Sequence, residues 1–358
     1  MADAQAAASE SARRLSAPTV AALAEAGLFT LCLPAAYGGP GISMVAMIDA
    51  IAAIARADAS AGWCAGIAST TSSLAAYVSP DLAREVYASP SVATGGVFAP
   101  NGRGVSVSGG FAVTGRWQWG SGTQHCSWVV GGVMCDDGTQ RVAFFPAREL
   151  VFHDTWRAAG LRGTGSLDFS VSGVVVPADH TIVVGAPAVI DDPIARFPNF
   201  TLLALGIAAT ALGNARRALD ETAALAVDKT PQFSSRTLAH SGHAQNELAR
   251  AEVRWRAAVA LLRAEVGAAW DAAAAGSEVD IDARVGMRLA ACHAASECVA
   301  VVQTAWTLAG GSAVYESSVL GRCLRDAHVV TQHIMVAPKL NETLGKRLLG
   351  VDFDPRMI

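Results

Sequence analysis

Apolar residues recur every three or four positions up to about residue 90. They alternate with polar residues from about Ser91 to Val184, then return to the helical spacing from about Ala195 to Leu349. A 3.6-residue period predicts amphipathic helices and a two-residue period predicts half-buried strands. The chain therefore reads helical, then β, then helical: mainly α with a central β domain. Boundaries are expected near 1–92, 93–192 and 193–358, with Asp191-Asp192-Pro193 marking the second.

Val20, Leu23 and Leu28 fit one helix, and Gly27 stands where it can stop. After the loop Pro34 to Gly41, Ser43 can cap a helix whose apolar face is Met44, Met47, Ile48, Ile51 and Ala55. Further helices are expected over 62–77 and from Pro80. In the middle block, Ser108-Gly109-Gly110 separates two alternating runs and predicts a hairpin, as does Asp136-Asp137-Gly138. Phe169, Val171, Val174 and Val176 continue the alternation, and the whole block reads as antiparallel. Four long periodic stretches, 199–227, 243–275, 283–309 and 323–349, predict a four-helix bundle.

Composition narrows the classes. The chain has 358 residues, 52% hydrophobic and 16% charged, so it is neither disordered nor short of core. A net charge of −4 gives no basic footprint for nucleic acid or an anionic membrane surface. Alanine tracts raise the hydropathy, and no window of about 20 strongly apolar residues is evident, so no membrane span is expected. The first residues lack the basic start and apolar stretch of a secretory signal. The seven cysteines form no C-x-x-C pair, which points to reduced thiols in a cytoplasm. No His/Cys/Asp/Glu group has metal-site spacing, so no metal is expected.

Three clusters could carry chemistry. Gly115 to Trp128 holds Trp117, Trp119 and Trp128 with Ser121, Gly122 and His125. Tryptophans can wall a flat ligand, or Trp117 and Trp119 can share one strand face as ordinary core. Gly160 to Ser166 could offer backbone N–H groups to a ring edge or an anion, or be a plain turn. Arg322, Arg325, Asp326, His328 and His333 form the third. Asp326 and His333 are seven residues apart, two turns on one helix face, and could serve acid–base work or a surface ion network. The remaining histidines read as structural. No dinucleotide-binding or P-loop glycine pattern is present.

Together these segments resemble the acyl-CoA dehydrogenase superfamily over nearly the whole chain. The matching pieces are Ala26-Gly27-Leu28, Leu33-Pro34, Gly38-Gly39, Ala57 to Trp63, Gly115 to Trp128, Gly160 to Ser166, Val176-Pro177, Gly310-Gly311-Ser312 and Leu324-Arg325-Asp326. The resemblance implies an N-terminal helical domain, a central β barrel and a C-terminal four-helix bundle. It also implies a homotetramer, with flavin between the β domain and the bundles. Thioester dehydrogenases commonly carry a glutamate base at a place that falls here near Ile334, where no carboxylate stands. Gly115, Arg116, Trp117, Trp119, Ser121, Gly122, His125 and Trp128 instead look like the signature of the two-component flavin monooxygenases, similar to hydroxyphenylacetate and dibenzothiophene oxygenase components.

That branch implies an oxygenase component that takes reduced FMN or FAD from a partner reductase. It uses O2 to form a flavin hydroperoxide and oxygenates a small aromatic or apolar substrate. By carry-over Ser121 contacts flavin N5, His333 activates the substrate or stabilises the peroxide, and Trp119 flanks the ring. Gly122, Thr164 and Ser166 complete the cofactor contacts, and Ser235 and Arg236 resemble a segment at the flavin phosphate. Phe98, Thr71 and His125 are expected at the substrate, although several relatives place a second histidine near Thr71. The rival readings are a flavin dehydrogenase or oxidase with a displaced base, and a non-catalytic assembly subunit.

Overall fold

Four helices of the N-terminal part begin at side chains that accept from the first free N–H groups, as capping requires. In this computed structural model, which describes residues 1–89, 91–355 and 358, Ser16 starts α2 (Ala17–Glu25) and Ser43 starts α3 (Met44–Ala57). Asp58 starts α4 (Ala59–Ser72) and Ser79 starts α5 (Pro80–Val86). They follow α1 (Ala2–Ala12). The expected face of α3 is buried: Met44, Met47, Ile48, Ile51 and Ala55. Helix α4 has little amphipathy because it is buried on nearly all sides, and it forms the partition between bundle and sheet.

The middle block forms one seven-stranded sheet. Its strands are β1 (Thr94–Val107), β2 (Gly110–Gly120), β3 (Trp128–Cys135), β4 (Gln140–Pro146), β5 (Val151–His153), β6 (Leu167–Pro177) and β7 (Thr181–Val183), in the order β5-β6-β2-β1-β3-β4-β7. Both hairpins form where the turn residues stand, with Val107 opposite Gly110 and Met134 opposite Gln140. The expectation of a purely antiparallel block is corrected at one seam. There β1 pairs with β3 in parallel, Thr94 opposite Trp128. Local alternation is blind to that choice, because it depends on how the second hairpin docks beside the first.

The C-terminal part comprises α6 (Pro193–Arg196), α7 (Asn199–Asp228), α8 (Gly242–Ala274), α9 (Ile281–Ala309), α10 (Val319–Val330) and α11 (Leu340–Leu348). Three of the four predicted bundle helices appear nearly as drawn. The fourth, expected over 323–349, is broken between Val330 and Leu340 into α10 and α11. Residues 281–313 are long and apolar enough to cross a bilayer, which corrects the expectation that no stretch is. Of the apolar window there, 61% is buried inside the molecule, and α9 packs on α7, α8 and α10.

Close packing sets α7 against the N-terminal helices. A side chain at Gly213 would meet Ala52 O at 2.2 Å, whereas Gly66 of α4 and Gly206 of α7 face each other with a Cβ contact of 3.5 Å. The main core joins α3, α4 and the bundle, and a second core lies between the sheet and the N-terminal helices.

Candidate functional site

The end of β2 departs from regular strand geometry, and this separates its two tryptophans. Trp117 is fully buried, stacks on Phe169 at 5.2 Å and donates Nε1–H to Gly132 O at 2.8 Å. Two residues on, Trp119 has φ 66° and is 68% exposed. A left-handed backbone is strained for a bulky side chain. Here it turns the indole off the face it would share with Trp117.

Beyond the bend lies a cluster of hydroxyls. Trp63 Nε1–H, from α4, donates to Ser121 Oγ at 2.9 Å. Ser121 Oγ lies 2.7 Å from Ser166 Oγ, which lies 2.7 Å from Thr164 Oγ1, and Thr164 Oγ1 donates to Leu161 O at 2.8 Å. The proton directions follow. Thr164 spends its only proton on a carbonyl, so Ser166 donates to Thr164 and Ser121 donates to Ser166. Ser121 Oγ thus accepts from Trp63, gives its proton away and keeps one lone pair. Its backbone N–H is bound to Trp119 O at 2.9 Å, and Gly122 N–H donates to Thr164 O at 3.0 Å, tying the two loops together.

The Gly160–Ser166 turn is held from below by α10. Asp326 Oδ1 accepts from Leu161 N–H at 2.6 Å. A Cβ at Gly160 would fall 2.3 Å from Arg325 O, so only glycine permits this approach. Burial pushes the Asp326 carboxyl up to about 7, against the pull of the Leu161 N–H. Asp58, buried at the start of α4, is pushed up to about 6 by the same cause.

His333 does not sit on the α10 face with Asp326, contrary to the two-turn spacing. The helix ends at Val330 and His333 lies in the break that follows. Its ring meets Trp63 edge-on at 5.5 Å. Met335 N–H donates to its Nδ1 at 3.3 Å, which leaves the ring proton on Nε2. Burial, with Arg288 adding to it, pushes His333 down to about 4, so the ring is neutral near pH 7. His328 is exposed on α10 and stands apart from this arrangement.

His125, pushed down to about 4 by burial, stacks on Phe29 at 5.5 Å in the seam between sheet and N-terminal helices. Thr71 is fully buried, with its hydroxyl turned back onto Ile67 O at 2.7 Å. Its neighbours Thr70, on the helix that carries Trp63, and Ser73, just past the end of that helix, line a cavity of about 610 Å³ with Phe98, Tyr77, Asn199 and Phe200. Ser235 and Arg236 lie in the exposed connector after α7. Gly206 is at the level of α4, and α7 runs 22 residues further to Asp228, about 33 Å at helical rise. Within one chain these two residues are thus remote from Ser121. His153 bonds Ser170, His180 rests on Trp128, His240 bonds Thr237, and His243 and His293 are exposed. Among the described residues no group of three or more His, Cys, Asp or Glu is arranged for a metal ion.

Two contributors escaped the sequence reading: Arg288, whose burial no local pattern announces, and Met335, which joins it to His333. Trp63 stood in a matching segment, but only the fold reveals its bond to Ser121.

Comparison with known proteins places the chain in a family. Residues 2–90 match the acyl-CoA dehydrogenase N-terminal domain and residues 205–338 the acyl-CoA dehydrogenase C-terminal domain. Indole-3-acetate monooxygenase of Pseudomonas putida is 33% identical over 94% of this chain and 88% of its own. The oxygenase subunit HsaA of Mycobacterium tuberculosis, a flavin-dependent monooxygenase, is 30% identical over 93% of this chain and 88% of its own. A crystal structure of HsaA from that organism superposes with a TM-score of 0.92 at 27% identity, covering 100% of this chain and 96% of that one. These relatives favour the oxygenase reading over a dehydrogenase with a displaced base. The chain belongs to the acyl-CoA dehydrogenase family and is a flavin-dependent monooxygenase, an oxygenase component that uses reduced flavin and O2.

Proposed function

We propose that this oxygenase takes reduced flavin from a separate reductase and oxygenates a small aromatic or largely apolar substrate held between the His333 break and the Phe98-lined cavity. The observation that carries the reading is the one-way chain of protons that starts at Ser121 and ends on Leu161 O, which leaves the Ser121 hydroxyl able only to accept from a ligand. Reduced flavin carries a hydrogen on N5 and oxidised flavin does not. Ser121 Oγ is therefore matched to the reduced form, as expected of an enzyme that receives its flavin already reduced.

The residues present fit such a ring. Trp119 offers an exposed flat face on a strained backbone, and Gly122, Thr164 and Ser166 frame the edge beside Ser121. Bound reduced flavin supplies two electrons and activates O2 for transfer of one oxygen atom. His333 serves as a hydrogen-bond donor through Nε2–H and not as a base, because its Nδ1 is engaged and its basicity is depressed. It can stabilise negative charge on a bound oxygen or hold a substrate hydroxyl. Trp63 and the closed turn at 161–166 keep water from that spot. Phe98 is a wall of the substrate cavity, Thr71 backs it from the helix interior, and His125 closes the seam behind Gly122.

The printed names of relatives, indole-3-acetate monooxygenase and resorcinol hydroxylase oxygenase component, support an aromatic substrate. The word component supports a separate reductase. Ser235 and Arg236 reach a flavin phosphate only from a second copy of the chain. Phe233, fully exposed beside them, supports burial there in a homotetramer. The seven buried free thiols suit a reducing cytoplasm.

The test is Ser121→Ala, compared with wild type for product formed and peroxide released per reduced flavin oxidised. Loss of one hydrogen bond at the reacting centre is worth about 10- to 100-fold, so the variant releases mostly peroxide. Unchanged coupling removes Ser121 from the role.

A further inference from the structure

Arg288, in the second turn of α9, is completely buried. Its Nη1 donates to Phe200 O at 2.9 Å and contacts Met335 Sδ at 3.3 Å, while Nε and Nη2 are buried with no partner. No carboxylate of the described residues forms an ion pair with it. The Cys292 thiol, one turn along α9, raises its affinity for a proton, but burial pushes that thiol itself up, so it carries no charge near pH 7. Burial lowers the guanidinium to about 10, which still leaves it fully protonated. A buried cation without a counter-charge is costly, and arginine cannot escape by losing its proton.

The surroundings add to the deficit. Helix α7 starts behind Pro198 with no capping side chain, and Asn199 Oδ1 and Thr201 Oγ1 in its first turn are also buried without partners. Asn199 and Phe200 line the 610 Å³ cavity, so the guanidinium stands directly behind that wall. On its other side Met335 links it to His333, through Sδ to Arg288 and N–H to Nδ1. The carboxylate lining the cavity, Asp354, is on the exposed C-terminal segment.

We propose that the substrate is an aromatic acid and that Arg288 anchors its carboxylate, with the ring extending past Met335 towards His333. This rests on the reading that the site oxygenates small aromatic molecules, and it adds the charge of the substrate and the residue that selects it. The unpaired atoms decide the ligand. Nε and Nη2 form the side-on fork of the guanidinium, two parallel donors spaced for the two oxygens of a carboxylate. The anion completes a charge pair that the folded chain leaves open.

The test uses the full chain and two probes with the same ring, indole-3-acetate and 3-methylindole, with Arg288→Gln and Arg288→Lys. Without flavin, the acid raises the melting temperature of the wild type more than 3-methylindole does, and Arg288→Gln loses that difference. With reductase-supplied flavin, the kcat/KM preference for the acid falls about 100-fold in Arg288→Gln and less in Arg288→Lys. Unliganded Arg288→Gln melts no lower than wild type, because an unpaired buried charge has gone. Should Arg288→Gln fail to fold, the Arg288→Lys comparison decides alone. The proposal is overturned if the acid gives no extra stabilisation, or if both variants keep the acid preference. It is also overturned if Arg288→Gln weakens reduced-flavin binding and spares the acid preference, which assigns the guanidinium to a flavin phosphate. Arg288-dependent binding of the acid with no oxygenation of either ring supports the anchor and refutes the oxygenation of small aromatics.

Discussion

Replacing Asp326 by Asn tests how the flavin-side turn is fastened. The Asp326 carboxyl is buried between α10 and the Gly160–Ser166 turn. Burial raises it from the usual 3.8 to about 7, the Leu161 N–H opposes that shift, and nearby Asp58 and Glu10 add to it. A carboxyl raised on folding contributes stability that is fully present below its unfolded value, near 3.9, and is lost as pH rises through about 7. Between pH 5 and pH 8 the wild type therefore loses about 2–3 kcal/mol through this group, at 1.36 kcal/mol for each pH unit below the folded value. Asparagine keeps an oxygen for Leu161 N–H and does not titrate. Asp326→Asn should gain about that much on wild type between the two pH values, read as urea midpoints by tryptophan fluorescence. Asp326→Ala strands the Leu161 N–H and should be weaker at both, by about 1–3 kcal/mol. A gap between Asn variant and wild type that is the same at pH 5 and pH 8 refutes the argument.

Two further predictions concern acid and packing. His125 and His333 are both pushed down to about 4 by burial, so as pH falls from about 6.5 to 4 the unfolded chain binds protons the fold refuses, and stability drops. In His125→Gln the melting temperature should fall less steeply between pH 6.5 and 4.5; equal slopes would contradict the assignment. Gly213→Ala drives a Cβ into Ala52 O and should cost about 1–3 kcal/mol. Gly206→Ala meets only ordinary contact at 3.5 Å and gains helix propensity, so it should melt at or above wild type. Equal losses at the two glycines would sink the packing argument.

Much of the fold was legible because its causes are local. Ser43 caps α3, the α3 face is buried as spaced, and Gly109 and Gly138 turn their hairpins. The failures have long-range causes. The parallel seam of β1 and β3 depends on how two hairpins dock. The orientation of the Ser121 hydroxyl depends on Trp63, 58 residues away, and Ser166, 45 away. A helix arginine ordinarily reads as solvated surface, yet Arg288 is wholly inside.

These failures are not scattered. The strand rule breaks at Trp119, the helix period breaks between Val330 and Leu340, and the rule that buried charge is paired breaks at Arg288. Local pattern reports what stabilises the chain alone, and each of these features is costly to the chain alone. A strained aromatic, an interrupted helix and an open charge persist when the rest of the fold holds them in place. Two of the three converge on one spot, because Met335 in the break touches both His333 and Arg288, and Trp63 ties that break to Ser121 beside the third. If the cost is carried for binding, ligands should return it. Reduced flavin and an aromatic acid added together should then raise the melting temperature of the wild type by more than the sum of their separate effects. Simple additivity would mean that the two halves of the site are independent.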